Sequence, residues 1–185
     1  MRRLALRGLL LVGVIGLLGV GSYAIAGDGT KNFQGKDLNG YEENPDVSSV
    51  ASGTFDARLS NDGTALEYEI TYSGLEGTVT QSHIHFGKAG VNGGISLWLC
   101  QTALSPAPAQ VADTPTCPQS GTVTGTLDAG DVVGPAGQGI AAAAGATPGE
   151  FAEILAAMRA GHAYANVHST KFLGGEVRAQ LNSGN

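Results

Sequence analysis

Four histidines occur in this chain, and three of them fall in two short segments, Ser82-His83-Ile84-His85-Phe86-Gly87 and Asn166-Val167-His168-Ser169-Thr170. In an extended strand, residues i and i+2 project from one face with Cα atoms about 6.5 to 7 Å apart. His83 and His85 placed in this way can close on one metal ion at about 2.0 to 2.1 Å per nitrogen, the distance zinc takes. Imidazole also suits copper, iron and nickel. His168 supplies a third ligand if its strand lies beside or across from the first. His162 is a poor fourth, since along a continuous strand it lies about 20 Å from His168. Its expected place at a helix C-terminus, where partial positive charge is favoured, gives it another use.

The same residues have a reading without metal. Ser82, Asn166, Ser169 and Glu176 are ready hydrogen-bond partners, and a His168–Glu176 pair across a turn would brace a corner. Residue types alone leave both readings open. Other chemistry finds little in the chain. It has no His-Glu-x-x-His, Gly-x-Ser-x-Gly, Cys-x-x-Cys or phosphate-loop motif. A thiolate from Cys100 or Cys117 would suggest a blue-copper centre, but Cys, His and Met do not cluster on one loop, and Met158 belongs to a helix stripe. Glu42-Glu43 suits acid chemistry or metal ligation, although such a pair is more commonly a solvated turn. Trp98 shares the Cys100 face of its strand, where it packs against a disulfide or caps a loop.

Strands must position these histidines. Phe55, Ala57 and Leu59 alternate with Thr54, Asp56 and Arg58. After the turn Ser60-Asn61-Asp62-Gly63, Leu66, Tyr68, Ile70 and Tyr72 alternate with Glu67, Glu69 and Thr71. This is an antiparallel hairpin with one buried and one wet face. Val79 to Phe86 is a third strand, with Gln81, His83 and His85 on one face and Ser82, Ile84 and Phe86 on the other. Ile95, Leu97 and Leu99 mark a fourth, with Ser96, Trp98 and Cys100 opposite. Gly121 to Leu127 is a further strand, and Ala163 to His168 and Glu176 to Leu181 form a closing pair. Prolines 106, 108, 115 and 118 make residues 101–120 a loop. The segment 134–149 reads as a loop or a loose helical excursion. One helix is expected up to Arg159, with Phe151, Ile154, Leu155 and Met158 as its apolar stripe and Gly161 as its stop. About seven short strands and one helix predict an all-β fold, an antiparallel sandwich or barrel.

Residues 1–26 carry Arg2, Arg3 and Arg7, an apolar run from Leu9 to Val20 and the small-x-small triplet Ala24-Ile25-Ala26. This is the form of a secretory signal peptide cut after Ala26, and it predicts a secreted, periplasmic or cell-surface protein. The membrane becomes a partner only if the segment stays uncleaved as an anchor. Its glycines at 13, 16, 19 and 21 weaken it as a permanent helix. Residues 27–36, polar and without period, read as a flexible lead-in, and 37–183 as one domain. With the three arginines gone, seven of the 10 basic residues face 16 acidic ones, a net charge of −9. Such a surface repels nucleic acid and anionic lipid. An oxidising compartment makes a Cys100–Cys117 disulfide the default.

Four motifs follow in order: Leu38-x-Gly40-x-x-Glu43-x-Pro45, His83-Ile84-His85-x-Gly87, Tyr164-x-Asn166-Val167-His168-Ser169 and Gly175-Glu176-Val177-Arg178. Together they resemble the CHRD domain, first described in chordin and common in exported microbial proteins. The resemblance covers about residues 36 to 183. It implies an antiparallel β-sandwich of immunoglobulin-like kind and makes Glu43, Asn166, Glu176 and Arg178 parts of a structural motif. The chain departs from the family pattern in having one proline in the first motif, and in the Cys100–Cys117 loop and the alanine-rich 141–146 segment. The strand with His83 and His85 is also similar to that of copper–zinc superoxide dismutase, another sandwich. That binuclear site takes six histidines and an aspartate, more than four histidines can supply. The expectation is therefore a non-enzymatic, extracytoplasmic binding or structural module, with a histidine face able to hold copper or zinc and an extracellular protein or surface component as partner. The alternative is a copper-dependent redox protein using His83, His85 and His168, which requires the three rings to converge.

Overall fold

The computed structural model describes residues 29–184. The expected signal peptide, residues 1–26, lies outside them. Nine strands follow in chain order: β1 (Asn32–Leu38), β2 (Ser52–Leu59), β3 (Leu66–Ser73), β4 (Val79–Phe86), β5 (Gly94–Gln101), β6 (Gly121–Leu127), β7 (Ala163–Ser169), β8 (Val177–Gln180) and β9 (Asn182–Ser183). One helix, α1 (Phe151–Arg159), precedes β7. Two antiparallel sheets result, one in the order β6-β3-β2-β1-β9 and one in the order β5-β4-β7-β8. The fold is the expected all-β sandwich.

The β2–β3 hairpin shows how local chemistry sets the register. Asp62 accepts hydrogen bonds from the Ser60 and Thr64 hydroxyls at 2.6 and 2.8 Å and from the Thr64 N–H at 3.2 Å. These bonds hold its carboxyl down at about 2. With the turn fixed, Phe55 falls opposite Ile70 and Ala57 opposite Tyr68, so both strands send the same face inward. Phe33, Phe55 and Ile70 from the larger sheet meet Ile84, Leu97 and Val167 from the smaller one in a single core. Phe151, Ile154, Leu155 and Met158 of α1 join it, as their spacing predicts.

Three expectations need correction. The stretch 27–36 is not all lead-in, because β1 begins at Asn32, paired with β2 on one side and β9 on the other. The inward-facing position after Phe33 is Gly35, where a Cβ would come within 3.1 Å of Ala179 and 3.2 Å of Leu181. A glycine at a core position hides the period. The segment 38–45, which a closing proline at 45 predicts as extended, instead turns: Asn39 caps a short 3-10 turn over Gly40–Glu42 by accepting from the Tyr41 N–H at 2.9 Å. Finally, Cys100 lies with Leu99 in the core and not on the Trp98 face. The β4–β5 register jumps from Ser82↔Cys100 to His83↔Trp98, and again between Ile84↔Leu97 and His85↔Ile95, so β5 carries an extra residue twice.

The Cys100–Cys117 disulfide is formed and closes a loop with a sequence separation of 17. In the chain-entropy model a loop of that length contributes about 3 kcal/mol. Reduction, followed by denaturant titration, is expected to lower the unfolding free energy by about that amount. Among the described residues no helix is long and apolar enough to cross a membrane.

Candidate metal centre

The smaller sheet is covered on both sides. Ile84, Ala165, Val167, Val177 and Ala179 face the core, and the alternate residues of the same strands face away from it. That second face carries His83, His85, Tyr164, Asn166, His168 and Arg178, and all six are buried. The β2–β3 hairpin has a wet outer face, and this sheet does not. Three connecting segments replace the water here. The 87–94 loop binds Arg178, whose guanidinium donates to Lys88 O at 3.1 Å and Val91 O at 3.0 Å. The segment bearing Glu43 is tied to that loop through Asn92 Nδ2 to Asn44 O and Asn44 Nδ2 to Gly90 O. The 170–175 turn closes the third side. There Gly175 has φ +128, and a Cβ on it would overlap the Glu43 carboxyl.

Strand register brings the three histidines together. His83 lies opposite Asn166 and His168 opposite Gln81, so His83 and His168 are diagonal neighbours on one face. Their candidate ligand atoms and that of His85 all lie within 4.8 Å of one another. His83 Nδ1 is 3.3 Å from His168 Nε2. His83, His85 and His168 are 0 %, 7 % and 6 % exposed.

The hydrogen bonds decide where the imidazole protons sit. His85 Nδ1–H donates to Gly93 O at 3.0 Å, and His168 Nδ1–H donates to Leu173 O at 3.0 Å. A carbonyl on Nδ1 fixes the tautomer and leaves Nε2 as a bare lone pair. Three neutral rings carry three N–H groups, and two are now spent. The third, on His83, can serve only one acceptor. If it lies on Nδ1 it reaches His168 Nε2, and the Nε2 atoms of His83 and His85 remain buried without partners, as they are in the structure. Asn166 Oδ1 also faces His168 Nε2 at 3.0 Å. The centre thus gathers more lone pairs than protons.

Protonation does not resolve this. Burial is the main cause that holds all three histidines below their ordinary value of 6.5, and mutual repulsion adds to it at His83. His85 falls to about 4. A histidine whose pKa is lower in the folded than in the unfolded chain binds fewer protons when folded, so stability falls as pH drops from about 6.5 towards about 4. For His85 the effect is about 3 kcal/mol. Glu43, raised by burial to about 7 and lowered less by Arg178, acts in the opposite direction between 4.5 and 7. Three groups against one leave the metal-free protein less stable in acid. Its urea midpoint is expected to fall steadily between about pH 6.5 and about pH 4, and a flat profile would contradict these proton positions.

Other expected partners lie elsewhere. Glu176 is fully buried, but its Oε1 accepts from Ser49 Oγ and the Glu76 N–H, both at 2.7 Å, so the His168–Glu176 brace does not form. His162 is exposed after the end of α1. Trp98 stands edge-on to His83 with ring centroids 4.3 Å apart. Glu43 and Arg178 do reach the histidine face. Tyr164, singled out only within a motif, stacks flat on His85 at 4.7 Å and carries the Arg178 guanidinium 3.3 Å above its other side. Its position two residues before Asn166 and four before His168 on one strand was the signal available. The carbonyls of Gly93 and Leu173 have no side-chain signature and could not be read.

A protein-family model described as the CHRD domain matches residues 35–181, nearly all of the described chain. The chain belongs to the CHRD family. No curated protein and no solved structure matches it. All four motifs of this CHRD domain reach the smaller sheet or the segments covering it: Glu43 from the first, His83 and His85 from the second, Asn166 and His168 from the third and Arg178 from the fourth.

Proposed function

We propose that this CHRD protein is an exported module that holds one transition-metal ion, copper or zinc, between His83, His85 and His168. The observation that carries the reading is the surplus of buried lone pairs among rings whose Nδ1 protons are committed to Gly93 O and Leu173 O. An unpartnered buried acceptor costs about 1 to 3 kcal/mol, and one cation relieves several at once. The signal-like N-terminus and the disulfide support an extracytoplasmic site of action, with an extracellular protein or surface component as partner.

A copper-dependent redox role is the second reading. A cleft of about 300 Å³ beside Glu43, between Pro45, Asn92 and Phe172, gives a small molecule a way to the covering loops. The test of the first reading is the metal content of the exported form, residues 27–185, beside a His83→Ala/His85→Ala variant. One equivalent of copper or zinc in the parent and none in the variant is the expected result. No metal in the parent after soaking in both ions would make the histidines architectural. Copper that cycles with a small reductant and dioxygen would favour the redox reading.

A further inference from the structure

The charges around the histidine centre bear on which ion it takes. The three ligands are neutral, and so is Asn166 Oδ1 beside His168. No carboxylate or thiolate belongs to the group, so a divalent ion would keep its full charge. The site is buried, with each histidine at most 7 % exposed. Desolvation cost grows with the square of the charge, which makes a divalent ion about four times as costly to bury as a monovalent one of similar size.

A permanent positive charge stands nearby. Arg178 is 1 % exposed and reaches His85 through the stacked ring of Tyr164. Its guanidinium donates to Lys88 O, Val91 O and, at 3.5 Å, Asn92 Oδ1. None of these is a carboxylate, so no direct ion pair cancels the charge. The carboxyls able to offset it from a distance are Glu43, which burial pushes towards its neutral form, and Glu42, which is exposed and screened by water. Three nitrogen donors can complete the coordination of monovalent copper, whereas zinc held by three histidines also takes a water as its fourth ligand.

We infer that the centre selects monovalent copper over divalent copper and zinc, and that the buried charge of Arg178 sets this preference. The inference rests on the metal-site reading above. Arg178 acts on the ion through space and is not a ligand. The site would then hold or hand on reduced copper, with bound copper reluctant to oxidise.

The test uses protein purified from cells expressing the full chain and then stripped of metal. It is titrated without oxygen with monovalent copper in competition with bicinchoninate, and separately with divalent copper and with zinc. Monovalent copper is expected to bind at least about 100-fold more tightly than zinc, and the reduction potential of bound copper to lie above that of the aqueous ion. Arg178→Gln is expected to narrow that ratio by about 10-fold or more and to lower the potential, while Arg178→Lys, which keeps a cation but loses the stacked fork, falls between the two. Glu43→Gln keeps or widens the ratio and remains informative if Arg178→Gln does not fold. Zinc or divalent copper binding as tightly as monovalent copper overturns the inference and leaves the metal site standing. A narrowed ratio in Glu43→Gln also overturns it. Failure of every ion to bind overturns the metal site as well.

Discussion

Copper or zinc is expected to raise the melting temperature of this protein, and replacement of His83 and His85 by alanine to abolish the rise. A ligand that binds only the folded chain at 100 times its dissociation constant stabilises by about 2.7 kcal/mol. For a domain of this size that is about 5 to 11 °C. The effect follows from proton positions and not from ring proximity alone. The Gly93 and Leu173 carbonyls aim two Nε2 lone pairs inward, and burial keeps them unprotonated. Without metal, the double variant still loses two buried rings packed on Trp98 and Tyr164. An aromatic ring of that burial removed to alanine costs about 3 to 5 kcal/mol. Here the cost per ring should be smaller, because each deletion also removes an unsatisfied nitrogen. His162→Ala, at an exposed position, changes neither the melting temperature nor the rise. Differential scanning calorimetry of the three proteins with and without metal checks each statement.

Gly93→Ala is expected to be among the most damaging single substitutions outside the core. A Cβ at Gly93 would overlap the Phe86 carbonyl, a backbone group that cannot rotate away. The loop must move, at a cost of about 3 kcal/mol or more. The Gly93 carbonyl that orients His85 moves with it, and loss of such a supporting bond lowers metal affinity by about 10- to 100-fold. Gly90→Ala in the same loop is the contrast. Gly90 has φ +71 with nothing near its absent side chain. Only the left-handed backbone is penalised, at about 1 to 2 kcal/mol, and metal affinity is unchanged. Urea denaturation and metal titration of both variants separate the two costs. Equal damage from the two would mean that loop strain, not the Phe86 contact, sets the requirement for glycine.

The sandwich was legible because its strands alternate where one face is wet. Tyr68 and Glu67, or Phe55 and Asp56, announce their sides. The histidine pair was legible for the same reason, since i and i+2 share a face on β4. Legibility ended where the alternation stopped meaning exposure. In β7 all seven residues are buried, so Tyr164, Asn166 and His168 sit as deep as Ala165 and Val167. Nothing in a period of two distinguishes a polar face under loops from one under water. The two extra residues in β5 moved Cys100 to the core and turned Trp98 towards His83, and neither bulge carries a glycine that would mark it. Gly35 concealed β1 by leaving a core position without a side chain. The carbonyl partners of His85 and His168 belong to loops whose path follows from the disposition of β4 and β7, and local sequence does not encode it.

The central claim is that one ion sits between His83, His85 and His168. A crystal of the copper- or zinc-loaded protein, with diffraction recorded on both sides of the metal absorption edge, tests it most directly. The account predicts a single strong anomalous peak within about 2.0 to 2.1 Å of one nitrogen from each of the three rings, with the Nδ1 bonds to Gly93 and Leu173 intact. A peak only at exposed His162, or none on the loaded protein, would contradict it and leave the three histidines as buried structure.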